Sequence, residues 1–151
     1  MYIPEIPINS LTDRIKKLIE LSEQVAEDNY EGAFKFEGPI SEKEIEAWEN
    51  SHGIKIPESY KDWLRFSKSS EIDRGGAIFY EPNYFVTDNA QKAYDVPDEC
   101  VVIGELGGWG VSVCFYAETG EIMYVDHEEI CRGLDFGDIL DWVIDRLEDE
   151  V

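Results

Sequence analysis

The side chains of this sequence that could do chemistry are two histidines, three cysteines, a glycine-rich stretch and a large store of carboxylates. His127 has the richest surroundings, in Asp126-His127-Glu128-Glu129-Ile130-Cys131. If that run were helical, His127 and Cys131 would share one face, and both residue types bind zinc. A structural zinc site takes four such ligands, however, and the chain holds neither HExxH nor a paired CxxC to complete one. The run therefore reads as a strand end leading into a polar turn. A small hydrolase or metal enzyme built on Asp126-His127-Glu128 is the disfavoured alternative. His52 precedes Gly53 at what reads as a helix end, where a cationic ring would meet the negative pole of the helix dipole. Cys100, Cys114 and Cys131 are odd in number and lack CxxC spacing, which fits small buried thiols in a reducing cytosol. No catalytic residue, metal or cofactor is expected.

Gly104, Gly107, Gly108 and Gly110 could cradle a phosphate only if Lys-Ser/Thr and a helix followed. Instead Trp109 interrupts the stretch, strand-like residues follow it, and no lysine or arginine occurs between Lys92 and Arg132. It reads as a turn or bulge. The carboxylates are more informative. The chain carries 34 acids against 13 bases, a net charge of −21. Nucleic acid and anionic membranes would be repelled, and a basic protein attracted. Excess acid also keeps a protein soluble, but solubility does not call for segregation. Between Gly75 and Cys131 stand eleven acids and one base, Lys92, whereas residues 1–74 hold sixteen acids and ten bases. Complementarity to a basic partner would concentrate the imbalance in this way. The candidate partner-binding residues are acids and aromatics on the connections between strands: Glu71, Asp73, Glu81, Tyr84, Glu105 and Trp109. Exposed aromatics ringed by acids suit an interface hot spot, although Trp109 would equally suit a core.

The elements that must position these residues follow from periodicity and caps. At 151 residues, 43% of them apolar, the chain is expected to form one domain, 1–151, with its own core. Its opening MYIPEIPIN lacks the basic and apolar regions of a signal peptide. Ser10 and Asp13 read as a capping box for a first helix whose apolar face is Leu11, Ile15, Leu18, Ile19 and Val25. Ser41 and Glu44 cap a second helix, with Ile40 and Ile45 as a hydrophobic staple and Gly53 as its left-handed stop. Pro57 opens a third, and Trp48, Tyr60 and Trp63 face the core. Short runs rich in β-branched and aromatic residues follow at 77–80, 84–87, 100–106, 110–117 and 121–126. Asp135 then caps a closing helix. Helices first, strands in the middle and one closing helix predict an α+β fold, an antiparallel or mixed twisted sheet with helices packed on one side.

The segment IEAWENSHGIKIPESYKDWL, Ile45 to Leu64, resembles the helical signature of the SUKH superfamily, through Glu49, Gly53, Ile54, Ile56-Pro57, Tyr60 and Trp63-Leu64. Val101 to His127 is similar to the family's sheet, and Phe136-Gly137-Asp138-Ile139-Leu140 to its terminal helix. The resemblance spans 40–147 and leaves 1–39 as an N-terminal helical extension. Two departures stand out: Lys68-Ser69-Ser70 occupies the place of an Asn-Gly-Gly, and Tyr116-Ala117 that of a strand-end aspartate. The superfamily includes Smi/Knr-type cell-wall regulators and bacterial toxin-immunity proteins. What the resemblance implies is a cytoplasmic protein that binds and neutralises a cognate toxin, a basic one such as a nuclease; the sequence leaves the oligomeric state open, with a monomer favoured. The alternative it implies is a regulatory protein-interaction module. In either case it implies protein binding and no enzymatic activity.

Overall fold

The computed structural model describes residues 1–27, 32–107, 110–127 and 129–151. Local chemistry fixes most helix ends. In α2 (Glu42–His52), Ser41 Oγ accepts from the Glu44 N–H at 3.2 Å, and Gly53 closes the helix at φ 65° with its N–H on the Glu49 carbonyl. Pro57 precedes α3 (Glu58–Leu64). Asp135 and Asp138 form a reciprocal capping box at the start of α4 (Phe136–Glu148). Before α1 (Thr12–Glu27) the expected Ser10–Asp13 box does not form. Asn9 takes its place: its Oδ1 accepts from the Leu11 N–H at 2.9 Å and its own N–H donates to Thr12 Oγ1 at 2.8 Å. Ser10 donates instead to Asp62, tying the helix entry to α3.

Seven strands pair in chain order as one antiparallel meander: β1 (Lys35–Phe36), β2 (Ser70–Ile72), β3 (Ala77–Phe79), β4 (Cys100–Leu106), β5 (Val111–Tyr116), β6 (Ile122–Asp126) and β7 (Glu129–Leu134). The fold is thus α+β with the helices on one side, as the element order predicts. One reading needs correction and another is extended. Residues 84–87 are not a strand: Pro82 starts a single 3-10 turn, Pro82–Tyr84, and only Val86 bridges to Val102. The polar turn after β6 leads into β7, so His127 and Cys131 lie on a turn and a strand, where the helical coincidence does not arise. Cys100 and Cys114 are buried, while Cys131 is half-buried on the β7 edge.

The helix-side core holds Trp63 and Tyr60 at 0% exposure and Trp48 at 5%. Their rings interlock with Phe79, Phe85 and Phe136. α1 lies along α4 and adds Leu11, Ile15, Leu18 and Val25 to this core. Glu49, 6% exposed, is buried for a structural reason. Its Oε2 accepts from the Ile56 N–H at 2.8 Å and from Lys61 Nζ at 3.2 Å, closing the α2–α3 turn. A buried carboxylate is tolerated when it is paired and hydrogen-bonded in this way.

Candidate protein-binding face

The side of the sheet away from the helices begins with a bulge. Along β4, Val102 pairs with Cys114 but Gly104 pairs with Val113, so Ile103 and Gly104 together oppose one residue. A bulge resets which residues face which way. Only glycine fits at 104, because a Cβ there would overlap the Ile78 carbonyl and the Phe79 ring. After the reset Leu106 faces the helices and Glu105 faces outward. The register then sets one outward row across the sheet: Lys35, Glu71, Ile78, Glu105, Ser112, Val125, Ile130.

Part of this outer face lies beneath the connection 81–99, a strap whose Val96 packs on it. Phe85 anchors the strap among Trp48, Tyr60 and Phe115. Val86 exchanges two backbone hydrogen bonds with Val102, each of 3.0 Å. Asp88 caps a second 3-10 turn, Asn89–Gln91. Lys92 donates to Asn89 Oδ1 at 2.6 Å and to the Asp98 carbonyl at 3.0 Å, so the one base of the acidic stretch is spent inside the strap. Beneath it, Val96 packs with Cys100, Val102, Cys114, Met123 and Val125 in a small second core. Tyr94, 91% exposed, lines an open groove with Asp126, His127 and Glu129. His127 itself is exposed, holds φ 53° in the left-handed region, and lies 3.8 Å from Asp126. Among the described residues, no three or more of His, Cys, Asp and Glu gather as a metal would require.

The sequence-derived candidates fall in different places. Glu71 and Glu105 share the outward row, with Ile78 between them. Glu81 and Tyr84 stand at the entrance of the strap, Tyr84 with 69% of its surface exposed. Asp73 is turned away: in the β2–β3 turn at φ 53°, it lines a small cleft with Trp142 and Arg146 of α4. There it lies beside Glu150, whose carboxyl is pushed up to about 7 first by the neighbouring Asp73 carboxyl and then by burial. Trp109 lies outside the described residues. Sequence reasoning passed over Tyr80, Tyr94, Asp95 and Asp98, which join the face only through the strap and the register.

Ion pairing divides the molecule. On the helical side Arg65 meets Glu42 at 2.8 Å and Asp62 at 3.0 Å, and Arg14 meets Asp141 at 3.0 Å. Lys16, Lys17, Lys43 and Lys55 stand between the remaining helical acids. Around the outer face, Lys35 reaches Glu71 at 3.9 Å and Lys68 reaches Glu81 at 4.0 Å. Arg132 lies over the Tyr116 ring and bonds Glu121 at 3.1 Å, which holds the Glu121 carboxyl below its usual range. Among the described residues, Asp95, Asp98, Glu99, Glu105, Glu118 and Glu129 form no ion pair. An arrangement of unpaired carboxylates beside exposed tyrosines can attract and hold cations.

Among curated proteins, none matches this chain. The model of the SMI1 / KNR4 family (SUKH-1) matches residues 39–145, a span that runs from just before the Ser41 cap into α4. The chain belongs to that family.

Proposed function

From this membership as premise, we propose that the protein is an immunity protein, which binds a cognate basic toxin through the strap-bearing face of its sheet and blocks it. The observation that carries the reading is the excess of unpaired carboxylates on that face. Among the described residues Asp95, Asp98, Glu99, Glu105, Glu118 and Glu129 form no ion pair, whereas on the helical side Arg14 and Arg65 pair with acids of neighbouring elements. Such a field speeds encounter with a cationic partner and excludes anionic ones, nucleic acid and membranes among them. Binding alone suffices to block, so the role calls for no catalytic group. The site of action is the cytosol, where the protein acts as a monomer. No helix among the described residues is long and apolar enough to cross a membrane. A Smi/Knr-type regulatory module, which the family name equally supports, would use the same face on a different partner.

The test is association kinetics against the product of the neighbouring gene, together with rescue of growth when that product is expressed. Replacing Asp98, Glu105 and Glu129 together by lysine is expected to slow association by about tenfold or more. Reversing Glu20, Glu23 and Glu46 on the helices is expected to do much less. Equal loss from both triple variants would reduce the effect to net charge. Binding without growth rescue would favour the regulatory module, and no binding by the native protein would remove the immunity reading.

A further inference from the structure

We propose that Glu105 is the anchor of this face, and that it receives an arginine or lysine side chain of the partner on a floor formed by Ile78, Tyr80 and Ser112. The inference rests on the protein-binding role above and adds to it the residue and the chemistry of the contact. The strap covers the outer face over Val102, Cys114, Met123 and Val125, and among the described residues no element of that small core reaches the β2–β5 part of the outward row. Glu105 lies in the middle of that part. It sits on an interior strand, paired on both sides, to Ile78 of β3 and Ser112 of β5. The bulge at Gly104 fixes its direction. It is therefore placed before any partner arrives, which lowers the entropy cost of binding.

Its charge distinguishes it from the other candidates. Glu71, Asp73 and Glu81 each have a cation within 4.0 Å, whereas Glu105 has none among the described residues. It is also half-buried, with Ile78, Ser112 and the Tyr80 phenol around it. Burial first, and then the Glu105 charge, push the Tyr80 hydroxyl above its ordinary range, so a neutral phenol stands near that carboxylate. A carboxylate that has lost part of its hydration and gained no partner is a cost to the free protein. A cationic side chain arriving from solvent removes that cost and adds a charge-assisted hydrogen bond. The occupant is a basic protein and not a second copy of this chain, because two copies carrying −21 each repel one another.

Glu105→Gln keeps the shape and removes the charge. The probe is the catalytically inactivated product of the neighbouring gene, with folding checked by circular dichroism. We expect Kd to rise about tenfold or more, chiefly through faster dissociation, as for a desolvated charge pair losing one member. The melting temperature of the free variant should equal or exceed that of the native protein. Glu71→Gln, whose carboxylate already faces Lys35, should change Kd by less than about threefold on the scale of an exposed pair. The inference is overturned if Glu105→Gln binds within that same margin, or if its loss of affinity is matched by a fall in melting temperature. Native protein that binds while Glu105→Gln binds equally well leaves the proposed function standing and removes only the anchor. Failure of the native protein to bind removes both.

Discussion

The two faces of the sheet use one strand alternation for opposite ends. The helix-side face is filled with large rings: Tyr60 meets Phe136 at 4.8 Å, Phe79 meets Phe136 at 4.9 Å, and Trp63 meets Phe79 at 5.7 Å, mostly edge to face. The outer face has only a small core of Val96, Val102, Cys100, Cys114, Met123 and Val125 beneath a strap with little regular structure. The first face carries most of the folding free energy, and the second is left cheap to expose and rich in charge. On the proposed function, stability and recognition would lie on opposite sides of a single sheet, and the acids that meet the partner would not have to be buried.

The sharpest way to break this comparison is to attack the rings. Tyr60→Ala and Trp63→Ala each remove a fully buried aromatic and should cost about 3–5 kcal/mol in denaturant unfolding. Tyr60 also donates its hydroxyl to the Tyr80 carbonyl at 2.6 Å, so its loss takes a partner from a half-buried acceptor as well. A loss below about 1 kcal/mol for either would be that of an ordinary surface residue, and the helix-side face would not be the stabilising one.

How far the sequence foretells these two faces differs for the same reason. Ser41, Gly53, Pro57 and Asp135 act on their own neighbours within a few residues, so helix ends could be read locally. Asn9 displaced Ser10 as a cap because Ser10 has a distant partner, Asp62, which no local pattern reveals. β1 and β2, at two and three residues, are too short to show alternation. β7 shows none because its register shifts opposite Ile122–Tyr124, near Gly133 at φ 73°. Phe85 and Val86 look like strand residues, yet one plugs the helix-side core and the other makes a single bridge. Acidity of the sheet half was legible as composition. Which acids share a face was not, because that depends on the bulge at Gly104 and on register. Asp73 leaves the group through a left-handed turn, and Glu71 and Glu81 are partly neutralised by Lys35 and Lys68, which lie on other elements.

A middle-sized effect is expected at the strap. Val96→Ala removes two methyl groups from the small outer core, worth roughly 1.5 kcal/mol at about 0.8 per methyl or methylene. The comparison predicts where that loss appears. Amide hydrogen exchange should quicken for Val86, Val96 and Cys100, while protection in α3 and α4 changes only by the global amount. Uniform loosening of the whole chain would mean that the strap and the helix side unfold as one unit, with no cheap face to separate from a costly one.

The smallest effect carries the comparison in its sign. Glu42 bonds Arg65 at 2.8 Å on the helical side, and that bond, followed by the guanidinium charge, holds the Glu42 carboxyl below its usual range. A carboxyl with a depressed folded-state pKa adds stability above its unfolded value, near pH 4.3, and loses it as pH falls through the folded one. Glu42→Gln should therefore cost a few tenths of a kcal/mol at neutral pH, the lower part of the range for exposed pairs. The cost should vanish in acid. Asp98 has no ion pair among the described residues and stands in a chain with net charge −21. Asp98→Asn removes one charge from a strongly acidic chain and no ion pair, and Lys92 stays held by the Asp98 carbonyl, so its change at neutral pH should be close to zero. Added salt should shrink both differences, since both are surface Coulomb effects screened over about 8 Å at physiological ionic strength. Thermal melts of the two variants across pH 3–8 at low and high salt read both signs directly. If Asp98→Asn destabilised as Glu42→Gln does, the outer acids would be held by the fold as the helical ones are, and would not stand free for a partner.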